Sequence, residues 1–199
     1  HSVYRDQIET GAMLVRMAPS HVRFGSFEIL YYRKQHELLK VLADYVIAQH
    51  YPHLVDASST YTQFFSEVVE RTARLIAQWQ AVGWAHGVMN TDNMTVSGET
   101  IDFGPCAFMD EYDPATVYSF IDRRGRYAYG NQPNILQWNL ARLAETLLPL
   151  IDVDEGRAIE RATASLQGVP DRFDRHWLAG FRRKLGLSVH EDVDRALVA

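Results

Sequence analysis

Tyr61, Phe64, Phe65, Val68, Val69, Thr72, Ile76 and Trp79 recur at the three-and-four spacing that lines one side of an α-helix. A stripe so apolar and aromatic must be buried, so the chain is committed to a core built around this helix. Ser58, Ser59 and Thr60 offer N-caps, and Thr60 with Gln63 has the spacing of a capping box. At its other end the helix runs through Val82 into the polar stretch Gly83 to Gly104, GWAHGVMNTDNMTVSGETIDFG. A loop delivered by a rigid, buried element is well placed to carry function.

The rest of the chain supplies further helices and little else. Ala12 to Met17 (AMLVRM) reads as a short strand between Gly11 and Pro19. From Phe27 the pattern is helical, with Leu38, Leu39, Leu42, Tyr45 and Val46 on one face, and it should stop before Pro52. Pro133 opens another helix, with Ile135, Leu136, Leu140, Leu143, Leu147 and Leu148 inside, that Pro149 should end. Two amphipathic segments follow, at 154–167 and 171–185, the second ending in the cationic turn FRRKLG that suits a helix C-terminus. Residues 105–133 show no clear period and contain Arg123, Arg124 and Arg126; such a connection is either a lid or substrate-facing loop or a solvated basic turn. The expected class is mainly α with a small β component (α+β).

At 199 residues with 47% hydrophobic content, the chain can bury the core of one domain or slightly more. A formal net charge of -5 gives no global reason to bind nucleic acid or an anionic membrane. The single cysteine, Cys106, forbids an intrachain disulfide, fits a reducing compartment and reads as a small buried residue. No apolar run approaches the roughly 20 residues of a membrane helix. A bacterial cytoplasm is the expected location, with a mitochondrial parent as the alternative.

Chemistry concentrates between Gly83 and Gly104. Met94 to Ile101 reads as two apolar pieces around a Ser97-Gly98 turn, so a tight hairpin can fold Asp102 back beside Asn93. An amide oxygen and a carboxylate brought together in this way suit Mg²⁺, which takes one or two protein ligands and leaves its other positions to water and phosphates. Upstream, Arg16 interrupts an apolar run and Arg23 follows just before Gly25. Both fit salt-bridged surface positions; they also fit a pair of guanidinium forks for phosphate.

The sequence resembles known enzymes at two levels. His86-Gly87 opening a loop, Asn93 seven residues after His86, and the Asp102-Phe103-Gly104 triplet after a hairpin resemble the catalytic loop and metal motif of the protein kinase-like fold. Ordinary kinase loops place the acid that receives the hydroxyl proton where this chain has Val88. Asp92 is the carboxylate left inside the loop, so either the chemistry has moved there or the protein is a pseudokinase.

HGVMNTDNM, IDFGP, GAMLVRMAPSHVRFGSFE and GRYAYGNQP, in their order along the chain, resemble the selenoprotein O family, also called YdiU. That resemblance covers about Val3 to Trp138. It implies a pseudokinase fold that binds ATP in a flipped orientation and transfers AMP, not phosphate, to the hydroxyl groups of protein substrates. It implies Asn93 and Asp102 as ligands of Mg²⁺ (with Mn²⁺ as the alternative), Asp92 as the base, and Arg16 and Arg23 as contacts to the ATP phosphates. It further implies that an N-lobe with a Lys–Glu pair and a redox-active C-terminal extension are missing. The chain is then a partial kinase-like domain, with a hinge-side strand and loop at 1–25 and a helical lobe at 26–199, expected to bind ATP weakly and to transfer little AMP.

Overall fold

In a computed structural model, residues 2–4 and 7–187 are described. Strands β1 (Ser2–Tyr4) and β2 (Ile8–Thr10) pair antiparallel, with Val3 opposite Glu9. Helices α1 (Phe24–Tyr32), α2 (His36–His50) and α3 (Thr60–Ala81) follow. Two very short strands, β3 (Trp84–Ala85) and β4 (Ala107–Phe108), pair antiparallel. The chain ends in α4 (Gln132–Ile151), α5 (Glu155–Gln167) and α6 (Val169–Leu185). The protein is mainly helical with small antiparallel sheets. None of the described helices is long and apolar enough to cross a membrane.

The aromatic stripe behaves as its spacing demands. Phe64, Phe65, Val68, Val69, Thr72, Ile76 and Trp79 are buried, and α3 packs against α4, α5 and α6. Each such apolar side chain contributes about 1.5–3 kcal/mol on burial, so α3 is the axis of the core. Leu136, Leu140, Leu143 and Leu147 of α4 close it on one side, and Phe27, Leu39, Ala43 and Val46 from α1 and α2 on another. Tyr51, after α2, stacks edge-on to Phe64 at 5.2 Å and lies 3.9 Å beneath the Arg71 guanidinium. Burial pushes its phenol pKa up, so the hydroxyl keeps its proton and donates to the Val96 carbonyl. The core is thereby tied to the hairpin of the polar stretch.

Four expectations fail locally. Ala12 to Met17 is not a strand: Met13, Leu14, Val15 and Met17 are 78–94% exposed, because no neighbouring strand among the described residues completes a ladder with them. The helix expected from Phe27 to Pro52 is broken at Arg33–Gln35, where Lys34 takes a left-handed φ of 56°. Thr60 does not cap α3; it is the first helical residue, and its hydroxyl donates backwards to the carbonyls of Leu54 and Ala57. Pro149 does not stop α4, which runs on to Ile151. In a final turn a proline forfeits one N–H bond without disturbing a following helix.

Candidate functional site

The polar stretch is held from both flanks. Trp84 faces Phe108 and Ala85 faces Ala107, while Met109 N–H donates to Gly83 O at 2.8 Å. The chain entering the loop and the chain leaving the Asp102-Phe103-Gly104 triplet are therefore stitched side by side. From behind, α4 supplies two buried amides. Gln132 accepts from His86 N–H at 3.0 Å and donates to Trp84 O at 3.1 Å. One face further along, Asn139 donates to Met89 O at 2.8 Å. Replacing Gln132 by Ala strands two buried backbone groups and should cost about 2–4 kcal/mol. Urea unfolding with an unchanged m-value checks this.

Inside the loop, His86 is fully buried between the rings of Trp79 and Trp84 and accepts from Val88 N–H through Nδ1. Burial pushes its pKa down, against the pull of the Asp102 carboxylate. Burial thus favours the neutral imidazole, which stands as a post between the two indole rings. Asn90 accepts from Asp92 N–H at 3.0 Å, which starts a 3-10 turn over Thr91–Asn93. Asn93 donates its amide to Val88 O at 2.8 Å. Asp92 is exposed, and its carboxylate lies against the first turn of α1 at Gly25.

Beyond Asn93 the hairpin forms, although as a bridge and not a ladder. Met94 pairs with Thr100, and Gly98 N–H closes the turn on Thr95 O. Antiparallel pairing at Met94 and Thr100 brings Asn93 and the Ile101–Asp102 pair to the same end of the hairpin. A third segment joins its edge: Phe24 N–H donates to Met94 O, Val96 N–H to Val22 O, and Arg23 bridges Thr95. That pairing places Arg23 beside Asp92, in an open depression that also includes His21, Ser26, Glu28 and Thr91.

Arg16 reaches the other side of the hairpin. Its guanidinium lies 4.5 Å from the Phe103 ring centroid and donates to Ile101 O, so it flanks Asp102 in sequence on both sides. The residues singled out by sequence thus fall into two groups about the hairpin: Arg16 next to the Asp102 segment, and Arg23 and Asp92 lining one depression, with Asn93 following Asp92 on the 3-10 turn.

The family model described as protein adenylyltransferase SelO matches residues 1–199. The chain belongs to the SelO family. Among its relatives, the protein nucleotidyltransferase YdiU of Rhizobium leguminosarum bv. trifolii is 58% identical over 196 residues, 98% of this chain and 39% of the relative. The YdiU protein of Cereibacter sphaeroides (strain ATCC 17029) is 57% identical over 187 residues, 94% of this chain and 39% of the relative. That of Shouchella clausii is 53% identical over 196 residues, 98% of this chain and 40% of the relative. The SelO chain in hand spans about two fifths of the length of the curated relatives it matches.

For a SelO-family chain the donor set fits a hard cation. Asn93 has its amide nitrogen committed to Val88 O, which turns Oδ1 into its available end. Asp102 is half-exposed, and its carboxylate makes no hydrogen bond or ion pair among the described residues. Those residues hold no cluster of three or more His, Cys, Asp or Glu side chains able to cage a metal. One amide oxygen and one carboxylate leave most positions to water and phosphate oxygens, as Mg²⁺ prefers.

Sequence reasoning missed Asn90, Gln132 and Asn139. Gln132 and Asn139 were detectable: they are amides seven residues apart on the apolar face of α4, where a polar side chain needs a buried partner.

Proposed function

We propose that this chain carries the metal- and phosphate-binding part of a protein adenylyltransferase, which moves AMP from ATP to Ser, Thr or Tyr hydroxyls of proteins. The chain would form the helical lobe of a protein kinase-like fold. The observation that carries this reading is the placement of Arg16 and Arg23 on either side of a hairpin bearing Asn93 and Asp102, in a loop whose usual acid position is Val88. Two guanidinium groups fit a polyphosphate. Valine cannot accept a proton.

In this reading Asn93 and Asp102 would hold Mg²⁺ or Mn²⁺, which supplies neutralisation of phosphate charge. Arg16 and Arg23 bind the β- and γ-phosphates of an ATP lying in the flipped orientation. The acceptor hydroxyl oxygen attacks the α-phosphorus, and the bond from that phosphorus to the oxygen bridging to the β-phosphate breaks. Pyrophosphate leaves against the arginines. Asp92, exposed beside the depression at Arg23, takes the hydroxyl proton; positioning counts for as much as basicity in such a transfer.

ATP labelled at the α- or γ-phosphate tests the reading in the full-length protein. Acceptor proteins should retain α-label and none of the γ-label. Retention of γ-label alone would show a phosphotransferase. Absence of transfer with either metal would favour the second reading that Val88 supports, a noncatalytic nucleotide-binding pseudokinase module.

A further inference from the structure

Gly25 is the second residue of α1, a position where glycine is disfavoured relative to alanine because it loses more conformational freedom. Its backbone makes no use of that freedom, since its φ is not among the positive values in the chain. Space is what requires the glycine. A Cβ built at residue 25 would stand 2.0 Å from Oδ1 of Asp92 and 3.0 Å from its Cγ, far inside van der Waals contact.

We infer that Gly25 is a positioning residue for Asp92: its missing side chain lets the Asp92 carboxylate rest on the first turn of α1, and any Cβ drives it off. On the other side, the Asp92 backbone is fixed by its N–H bond to Asn90 and by the 3-10 turn. The carboxylate is thus held between two elements, and only one of them can be altered without touching the loop. The atom that a Cβ would strike first is the end of a short side chain and not backbone, so the fold accommodates the change by rotating Asp92.

The catalytic consequence rests on the proposed role of Asp92 as the proton acceptor. Gly25 would then act mainly on the reaction step, because Asp102 and Arg16 are held from the other side of the hairpin, and any effect on nucleotide binding would pass through Arg23, which caps α1 two residues before it.

Gly25→Ala in the full-length protein, alone and combined with Asp92→Ala, provides the test. For Gly25→Ala, kcat should fall about tenfold or more, since a ~1 Å misplacement of a reacting group costs up to about 10²-fold. The KM for ATP should change by a smaller factor than kcat, and the melting temperature should stay near the wild-type value. In the Asp92→Ala background the same change should have no further effect on rate, because the two residues act as one unit. Where Asp92→Ala itself lowers kcat, wild-type kcat in Gly25→Ala, or a loss that persists undiminished without the Asp92 carboxylate, overturns the inference. A crystal structure of Gly25→Ala reads the positioning apart from the chemistry. A displaced Asp92 carboxylate supports it even if Asp92→Ala transfers AMP normally, a result that would sink only the assignment of Asp92 as base. An unmoved carboxylate overturns it.

Discussion

Asp102→Ala should reduce metal-dependent transfer by about 10³-fold or more, because a metal's stabilisation of developing phosphate charge is worth several kcal/mol and each ~1.4 kcal/mol is tenfold in rate. The loss should come with little change in folding. Asp102 is half-exposed and its carboxylate is engaged with no donor among the described residues, so its removal leaves no buried group unpaired. Asp102→Asn keeps the shape and removes the charge, and should lie between the two. Single-turnover transfer at saturating ATP, with Mg²⁺ and Mn²⁺ compared, measures the effect. A variant that transfers at the wild-type rate would remove Asp102 from the metal site.

Asn93→Ala is a less clean probe, and the geometry says why. Asn93 both offers Oδ1 and donates to Val88 O, so its loss slackens the loop as well as a ligand position. Asp102 carries one role; Asn93 carries two.

What could be read from the sequence followed periodicity and chemistry, and what could not followed from contacts. The α3 stripe was legible because its apolar positions are dictated by the same burial that holds the fold together. The hairpin that makes Asn93 and Asp102 candidates was legible because the Ser97-Gly98 turn predicts the return that the Met94–Thr100 pairing makes, whereas Asp92 as a candidate base rests on the family resemblance. The AMLVRM run was misread because an apolar stretch suggests a strand whether or not a partner exists, and here its apolar side chains lie exposed while Arg16 engages Ile101 and Phe103. The break between α1 and α2 was hidden because Lys34 takes the left-handed conformation without the glycine or proline that usually announces one. Strands β3 and β4 have two residues each, too short for any alternation to show. Gly25 was invisible for a different reason: its role depends on a carboxylate that is distant in sequence and adjacent only in the fold.

Gly87→Ala should be strongly damaging although it touches no proposed ligand. Gly87 has a φ of 84°, where a side chain collides with its own backbone. A Cβ there would also lie 2.9 Å from Cγ and 3.1 Å from the carbonyl oxygen of Pro105. Unlike the clash at Gly25, this one meets backbone that cannot swing away, because pairing of β4 with β3 anchors the chain from Ala107 onward. Left-handed strain and a backbone clash together should cost about 2–4 kcal/mol, or roughly 5–15 °C in melting temperature for a domain of this size. The chemical effect should exceed the thermal one. Gly87 lies between the loop that carries Asp92 and Asn93 and the turn that follows Asp102, so separating them even slightly pulls the two proposed ligands apart. Transfer measured well below the variant's melting temperature should fall about 10²-fold, with the apparent affinity for the divalent cation falling as well. If rate and cation affinity survive while only stability drops, the two segments hold their relative positions without this contact, and the close approach of Gly87 to Pro105 serves folding alone.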